Sequence, residues 1–278
     1  MALLGCALLS VVAIASAIAP CAPRCGCNGG PALAVRHHKS GTVLAQKMMV
    51  SLERACGMKT AKLPFRDVGA FAASASGCET AYTYLPASRC NDSCVDAAFA
   101  AARGRVRVLH MVREPLALVV STYLYHKGGK EPTFGRPPLA PRLKKASVRA
   151  GLRMAADETL RRALPAMVGF HEKRPGATFR LEDLAGPHGF GAFTAAFLTQ
   201  VGFDRKECAR PVQRELAGHD TARWTAKAKR RSSHLSGSAN TSHLRSLLVA
   251  SPAYDALRRF GARLGYRYAR DGAASVVR

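Results

Sequence analysis

Acidic side chains are scarce in this chain: 18 Asp and Glu stand against 42 Lys and Arg, a formal charge of +24 at pH 7. No strand end carries a clear carboxylate for magnesium, and the nucleotide loop G-x-x-x-x-G-K-[S/T] is absent, which together argue against an ATP- and magnesium-dependent kinase. Cys21, Cys25 and Cys27 lie close together, but no histidine or second C-x-x-C stands at zinc spacing, so a zinc module is not indicated. There is no internal repeat and no linker of domain-boundary character. The 278 residues, 48% of them apolar, therefore read as one globular domain. Tryptophan occurs once, at position 224.

What is present in excess is positive charge. It predicts attraction to polyanions: nucleic acid, anionic membrane, sulfated or uronate-bearing glycans, or a multiply charged nucleotide. Charge does not choose among these. Residues 2 to 19 are uncharged and apolar and read as a secretory signal peptide, with Ala15-Ser16-Ala17 as its cleavage site, or as a signal anchor, although a basic n-region is missing. Either form predicts entry into the secretory pathway. Cleavage would leave Cys21, Cys25, Cys27, Cys56, Cys78, Cys90, Cys94 and Cys208, an even set that predicts disulfides in an oxidising lumen.

One stretch organises the rest. The apolar run Ala32 to Val35 reads as a strand, Arg36 to Gly41 as a tight loop, and Thr42 to Cys56, stopping at Gly57, as an amphipathic helix with Leu44, Met48, Met49 and Leu52 on one face. A loop between strand and helix aims backbone N–H groups and the positive helix end at an anion, and a phosphate suits it. Gly41 permits close backbone approach, Lys39 adds charge, and Ser40 and Thr42 add hydroxyl donors.

Further strands are predicted at 60–65, 80–85, 106–112 and 177–181, with Val106 to Val112 the clearest. Helices are predicted from Asp92 through Ala102, over about 145–173 with a break near Pro165, and over 190–201, 209–217 and 241–263. Residues 127–147 read as a long exposed loop and 218–240 as a polar basic segment. Strands alternating with helices predict an α/β fold in three layers, a central parallel sheet with helices on both faces. In such sheets ligands bind beyond the carboxyl ends of the strands, where Lys39 and Arg113 both fall.

Arg113 follows the clearest strand, Pro115 suits the first turn of a helix, and Ser121 lies two turns in. Arg113 offers a planar fork for a phosphate dianion and Ser121 a hydroxyl; pairing of Arg113 with Glu114 or Asp183 is the structural alternative.

The two stretches together resemble the sulfotransferase family, which uses PAPS (3′-phosphoadenosine 5′-phosphosulfate) as sulfuryl donor. The family has a Lys-x-Gly-Thr-like loop for the 5′-phosphosulfate and an Arg-x-Pro element with a serine eight positions after the arginine for the 3′-phosphate. Lys39-Ser40-Gly41-Thr42 and Arg113, Pro115 and Ser121 match these, and Leu85-Pro86 and Leu181-Glu182-Asp183-Leu184 also look similar. The resemblance implies a P-loop NTPase-like sulfotransferase fold over about residues 32–270 and transfer of sulfate to a hydroxyl of a glycan or other acceptor, an acidic polysaccharide being suited to the basic surface. It further implies Golgi residence, lumenal or membrane-held through residues 2–19, or secretion if the leader is cleaved, with no metal and no specific nucleic acid partner. On it, Lys39, Ser40, Gly41, Thr42, Arg113 and Ser121 hold PAPS, Lys39 also neutralises the leaving group, and Arg230 and Arg231 add a lid contact beside Trp224. The acceptor's base is sought among Asp67, Glu79 and His126, Asp67 ranking first, because Tyr84 stands where one branch of the family has a histidine. His37 and His38 flank the loop. The competing reading is a non-catalytic basic protein that binds polyanionic glycan or nucleic acid.

Overall fold

The computed structural model describes residues 31–64, 67–74, 79–84, 106–129, 131, 137–184, 189–203, 206–220, 241–269 and 272–276. Five strands, β1 (Ala32–Arg36), β2 (Lys59–Leu63), β3 (Glu79–Tyr84), β4 (Arg107–Val112) and β5 (Thr178–Arg180), form one sheet in the order β2-β3-β1-β4-β5. All four pairings are parallel, with Val35 opposite both Thr83 and His110.

Strand alternation divides β1 and β4 between two cores. On one face Ala32, Ala34, Leu109 and Met111 pack against the helices α1 (Thr42–Cys56), α7 (Gly189–Gln200) and α8 (Lys206–Ala217). On the other, Leu33, Val35, Ala81 and Val108 meet Val68 of α2 (Val68–Ser74) and Phe170 of α6 (Leu164–Lys173). The predicted three-layer α/β fold with a parallel sheet is therefore present. A third cluster lies beyond the end of β4 around α3 (Pro115–Lys127), enclosed by α4 (Leu139–Lys145), α5 (Val148–Glu158), α9 (Thr241–Val249) and α10 (Tyr254–Arg263). Apolar side chains occupy α3 nearly all round, so it is buried on every side.

Glycines set the limits of α1. Gly41 at its start and Gly57 at its end both have left-handed φ, 89° and 64°, and the Gly57 N–H closes the last turn on the Glu53 carbonyl. Between them Ala45, Met48, Met49 and Leu52 form the buried stripe.

Several sequence expectations are corrected. Residues 127–147 are not all loop, because α4 begins directly after Pro138, where a proline costs no helical hydrogen bond. The helix expected over about 145–173 with a break near Pro165 begins later, at Val148, and its break is a π-turn at Thr159–Ala163 that leads into α6, whose first turn contains Pro165. The helix expected over 241–263 is interrupted at 250–253, around Pro252. A C-terminal antiparallel hairpin, β6 (Tyr266–Tyr268) with β7 (Ala274–Val276), had no sequence signal, since three-residue strands are too short to show a period.

The leader 2–19, the expected helix from Asp92 to Ala102, Leu85-Pro86, Trp224, Arg230 and Arg231 lie outside the described residues, as do Cys6, Cys21, Cys25, Cys27, Cys78, Cys90 and Cys94. Cys56 and Cys208 fall in α1 and α8, but their side chains are outside the described ones too. No described helix is long and apolar enough to cross a membrane.

Candidate functional site

The chain leaves β1 for β2 over one face and leaves β4 for β5 over the other. The crevice between these adjacent strands is thus a topological switch point, the place where α/β sheets bind ligands. The two sequence stretches singled out above flank it.

The loop 37–41 is built around one carbonyl. The His37 oxygen accepts from the Ser40 N–H at 3.2 Å, from Ser40 Oγ at 3.0 Å and from Thr42 Oγ1 at 2.9 Å, while Ser40 Oγ accepts from the His37 N–H at 3.0 Å. Both hydroxyls expected to face a phosphate are therefore donating inside the loop. They shape it instead. Lys39 holds a left-handed φ of 61°, rare for a side chain with a Cβ, and Gly41 has no room for one: a Cβ there would sit 2.9 Å from Leu181 Cδ2 and 3.0 Å from Met111 Cε.

Two helix N-termini open on the crevice and differ in one respect. That of α3 is filled from within, because the Glu114 carboxylate accepts from the Leu116 N–H at 3.0 Å and the Ala117 N–H at 2.7 Å. Gly41 gives α1 no side-chain cap, so its first-turn N–H groups keep their attraction for an anion.

Arg113 joins the two elements, its Nη1 donating to the Lys39 carbonyl at 3.2 Å across 74 residues of sequence. The carboxylates around it are committed elsewhere. Glu114 is paired with Arg245 at 2.7 Å, and Glu182 accepts from the Glu114 N–H at 3.1 Å and the Tyr266 hydroxyl at 2.6 Å. Among the described residues Arg113 forms no ion pair, so pairing with Glu114 or Asp183, the alternative raised from sequence, is not how it is held. Burial lowers its pKa while Glu182 and Glu114 work in the opposite direction. A largely buried guanidinium with its acidic neighbours engaged is a good anion ligand.

The Lys39 ammonium lies over the Tyr125 ring, 3.4 Å from its centroid. Burial brings its pKa down to about 8, with Glu131 raising and Arg113 lowering it. At neutral pH it is charged, but only just.

Histidines line both sides of the loop. His38 Nε2 lies 2.9 Å from His126 Nε2, and His38 Nδ1 3.5 Å from Glu131 Oε2. Burial, then His126 and Lys39, hold His38 well below the usual histidine range. His38, His126 and Glu131 each bring one ligand atom within 4.8 Å of the others, a spacing that could hold a cation. His37 lies on the other side, its Nε2 2.7 Å from His110 Nε2; His110 Nδ1 is 3.2 Å from Thr178 Oγ1, which is 2.9 Å from His171 Nδ1.

Burial brings His37 down to about 3 and His110 well below its ordinary value, so both are neutral. His37 Nδ1 is buried and finds no partner among the described residues, a position that suits a bare lone pair better than an N–H. That fixes a direction: His37 Nε2–H donates to His110, His110 Nδ1–H to Thr178, and the Thr178 hydroxyl to His171.

Of the residues named from sequence, Lys39, Ser40, Gly41, Thr42, Arg113 and His126 come together here. Ser121 is buried within α3. Asp67 does not join them: it follows the edge strand β2, and β3 stands between that strand and β1, about 10 Å of sheet. Glu79 opens β3 and so lies at the amino edge, opposite Lys39. The partners Tyr125, His110, Thr178 and His171 were missed, because contacts between strands require the strand order. No family model, curated protein or solved structure matches the chain.

Proposed function

We propose that this protein is a PAPS-dependent sulfotransferase acting on a hydroxyl acceptor, within the secretory pathway. The observation that carries the reading is the contact between Arg113 and the Lys39 carbonyl, which ties an arginine arm to an uncapped helix N-terminus at the switch point. Two cationic sites from separate chain segments, on adjacent strand ends, suit a nucleotide with phosphates at both its 3′ and 5′ positions. The residues fit that ligand: first-turn amides of α1 and Lys39 for the 5′-phosphate, Arg113 for the 3′-phosphate.

PAPS, when bound, supplies an already activated sulfuryl group. Lys39 neutralises the charge that the departing bridging oxygen gains, and the α1 amides do so without moving. His38 takes the acceptor proton. It stands next to Lys39; burial, His126 and Lys39 depress its pKa in the free protein, and the negative charge of a bound phosphosulfate would raise it toward the range a base needs. His126, fully buried behind it, holds the ring and replaces Asp67 and Glu79 in the account of the base.

The test is transfer from labelled PAPS to a glycan panel, with thermal stabilisation by adenosine 3′,5′-bisphosphate. Lys39→Ala and Arg113→Ala should keep the fold and lose transfer, and His38→Asn should bind nucleotide but turn over slowly. Full activity in the first two variants would overturn the proposal. Stabilisation by any polyanion but not by the nucleotide would favour the non-catalytic polyanion-binding reading.

A further inference from the structure

From residue 132 to residue 156 the sequence carries six basic side chains and no acidic one. Five of them, Arg142, Lys144, Lys145, Arg149 and Arg153, lie exposed on α4 and α5. Other exposed faces mix signs: Arg263 pairs with Glu172, and Arg258 with Asp255. Among the described residues none of the five forms an ion pair. Of the nearest acids in sequence, exposed Asp157 stands one turn beyond Arg153 without pairing with it, and Glu158 is buried and bonded to Arg161 and Arg162.

Helix stability does not account for this placement. Arg149 sits in the first turn of α5, where the macrodipole repels a cation and no acidic residue is present. Arg149 and Arg153 are four apart, a repulsive spacing. At the end of α4 the carbonyl groups already have a cation from elsewhere, because Lys127 Nζ donates to the Leu143 and Ala146 oxygens at 3.2 and 3.1 Å. The surface cations are surplus to the fold.

The patch also starts at the site. Lys144 lies against Gly129, where an added Cβ would stand 3.4 Å from its Cε. The Gly129 N–H donates to the His126 carbonyl at 2.9 Å, and His126 touches His38. A track of cations thus leads from α5 to the turn that supports the anion loop.

We infer that the face of Arg142, Lys144, Lys145, Arg149 and Arg153 docks a polyanionic glycan, one bearing sulfate or uronate groups. No aromatic side chain lies in α4 or α5, so these two helices give a base nothing to stack on, and a nucleic acid is the poorer fit. The inference deepens the sulfotransferase reading by naming the acceptor class, but binding is measurable without the nucleotide.

The experiment compares Lys145→Gln/Arg149→Gln/Arg153→Gln with a control, Arg54→Gln/Arg210→Gln/Arg259→Gln, which removes the same charge from other exposed positions. Affinity for a heparin decasaccharide and for oligouridylate is measured against salt, and affinity for adenosine 3′,5′-bisphosphate alongside. The expected result is a loss of at least about tenfold for the heparin oligosaccharide in the patch variant only, with a shallower salt dependence and unchanged nucleotide affinity. Equal losses in the two variants would overturn the inference, as would oligouridylate binding that is as tight and as dependent on the patch. Absence of nucleotide binding in every form, with glycan binding still dependent on the patch, would refute the sulfotransferase reading and leave the docking face standing.

Discussion

Replacing Thr178 by valine removes one hydroxyl and almost no volume, which makes it a sharp test of the directed histidine chain. The buried pair His37 and His110 carries two N–H groups. One lies between the rings, and the other donates to Thr178. Without the hydroxyl, that second proton is left buried without an acceptor on either His110 Nδ1 or His37 Nδ1, and both residues are at most 1% exposed. No choice of tautomer avoids it. An orphaned buried donor costs about 1–3 kcal/mol, while half-buried His171 can turn to water, so Thr178→Val should lose about 2 kcal/mol in urea unfolding. Thr178→Ser should stay close to the parent. Nitrogen-15 NMR of the imidazoles reads the same point directly, with His37 protonated at Nε2 and His110 at Nδ1. A valine variant within about 0.5 kcal/mol of the parent, a small fraction of an orphaned donor's cost, would refute the reasoning. So would a His37 proton on Nδ1.

Three further outcomes are expected. Gly41→Ala combines about 1–2 kcal/mol of left-handed strain with about 1–3 kcal/mol of crowding against Leu181 and Met111. Gly57→Ala, at an exposed helix end with φ 64°, should cost about 1–2 kcal/mol of the same strain, so urea midpoints should fall further for position 41. Arg245→Met leaves the buried Glu114 carboxylate without its cation and should cost about 3–5 kcal/mol, much of it recovered when Glu114→Gln is added; a strictly additive double mutant would argue against the pair. Lys39, with its pKa near 8, should make adenosine 3′,5′-bisphosphate binding pH-dependent. Because the ammonium is the binding form and is lost as pH rises, affinity should be level below pH 8 and fall by up to about tenfold per unit above it, a slope that Lys39→Met should abolish in calorimetric titrations.

The α1 boundaries were readable because glycines mark them: Gly41 and Gly57 both need a left-handed φ. The strands β1 and β4 were equally plain, being apolar runs buried on both faces. Glu79 failed because it stands at the start of the strand, already predicted over 80–85, and a strand's two ends lie at opposite edges of the sheet. Asp67 failed for a different reason, since being at the carboxyl edge says nothing about which strand lies next to β1. Ser40 and Thr42 are donors, as their type predicts, but a tight loop needs donors for its own carbonyl first. Glu114 read as a partner for Arg113, whereas a carboxylate beside a Pro at N1 caps the helix that follows it.

The central strand β1 has consequences beyond its loop. Its partners come late in the chain, with Ala32 beside Thr80 on one side and Arg107 on the other. Loop-closure entropy for both must be overcome before either contact forms, so β1 should be among the slower parts of the sheet to set. The crevice between β1 and β4 therefore exists only in a fully assembled molecule. A nucleotide that binds there selects native chains over partly folded ones, and at a hundredfold excess over its Kd it would add about 2.7 kcal/mol to them. Occupancy of this site would then report completed folding, and in a cell the availability of that nucleotide would influence how much of the protein survives proteolysis.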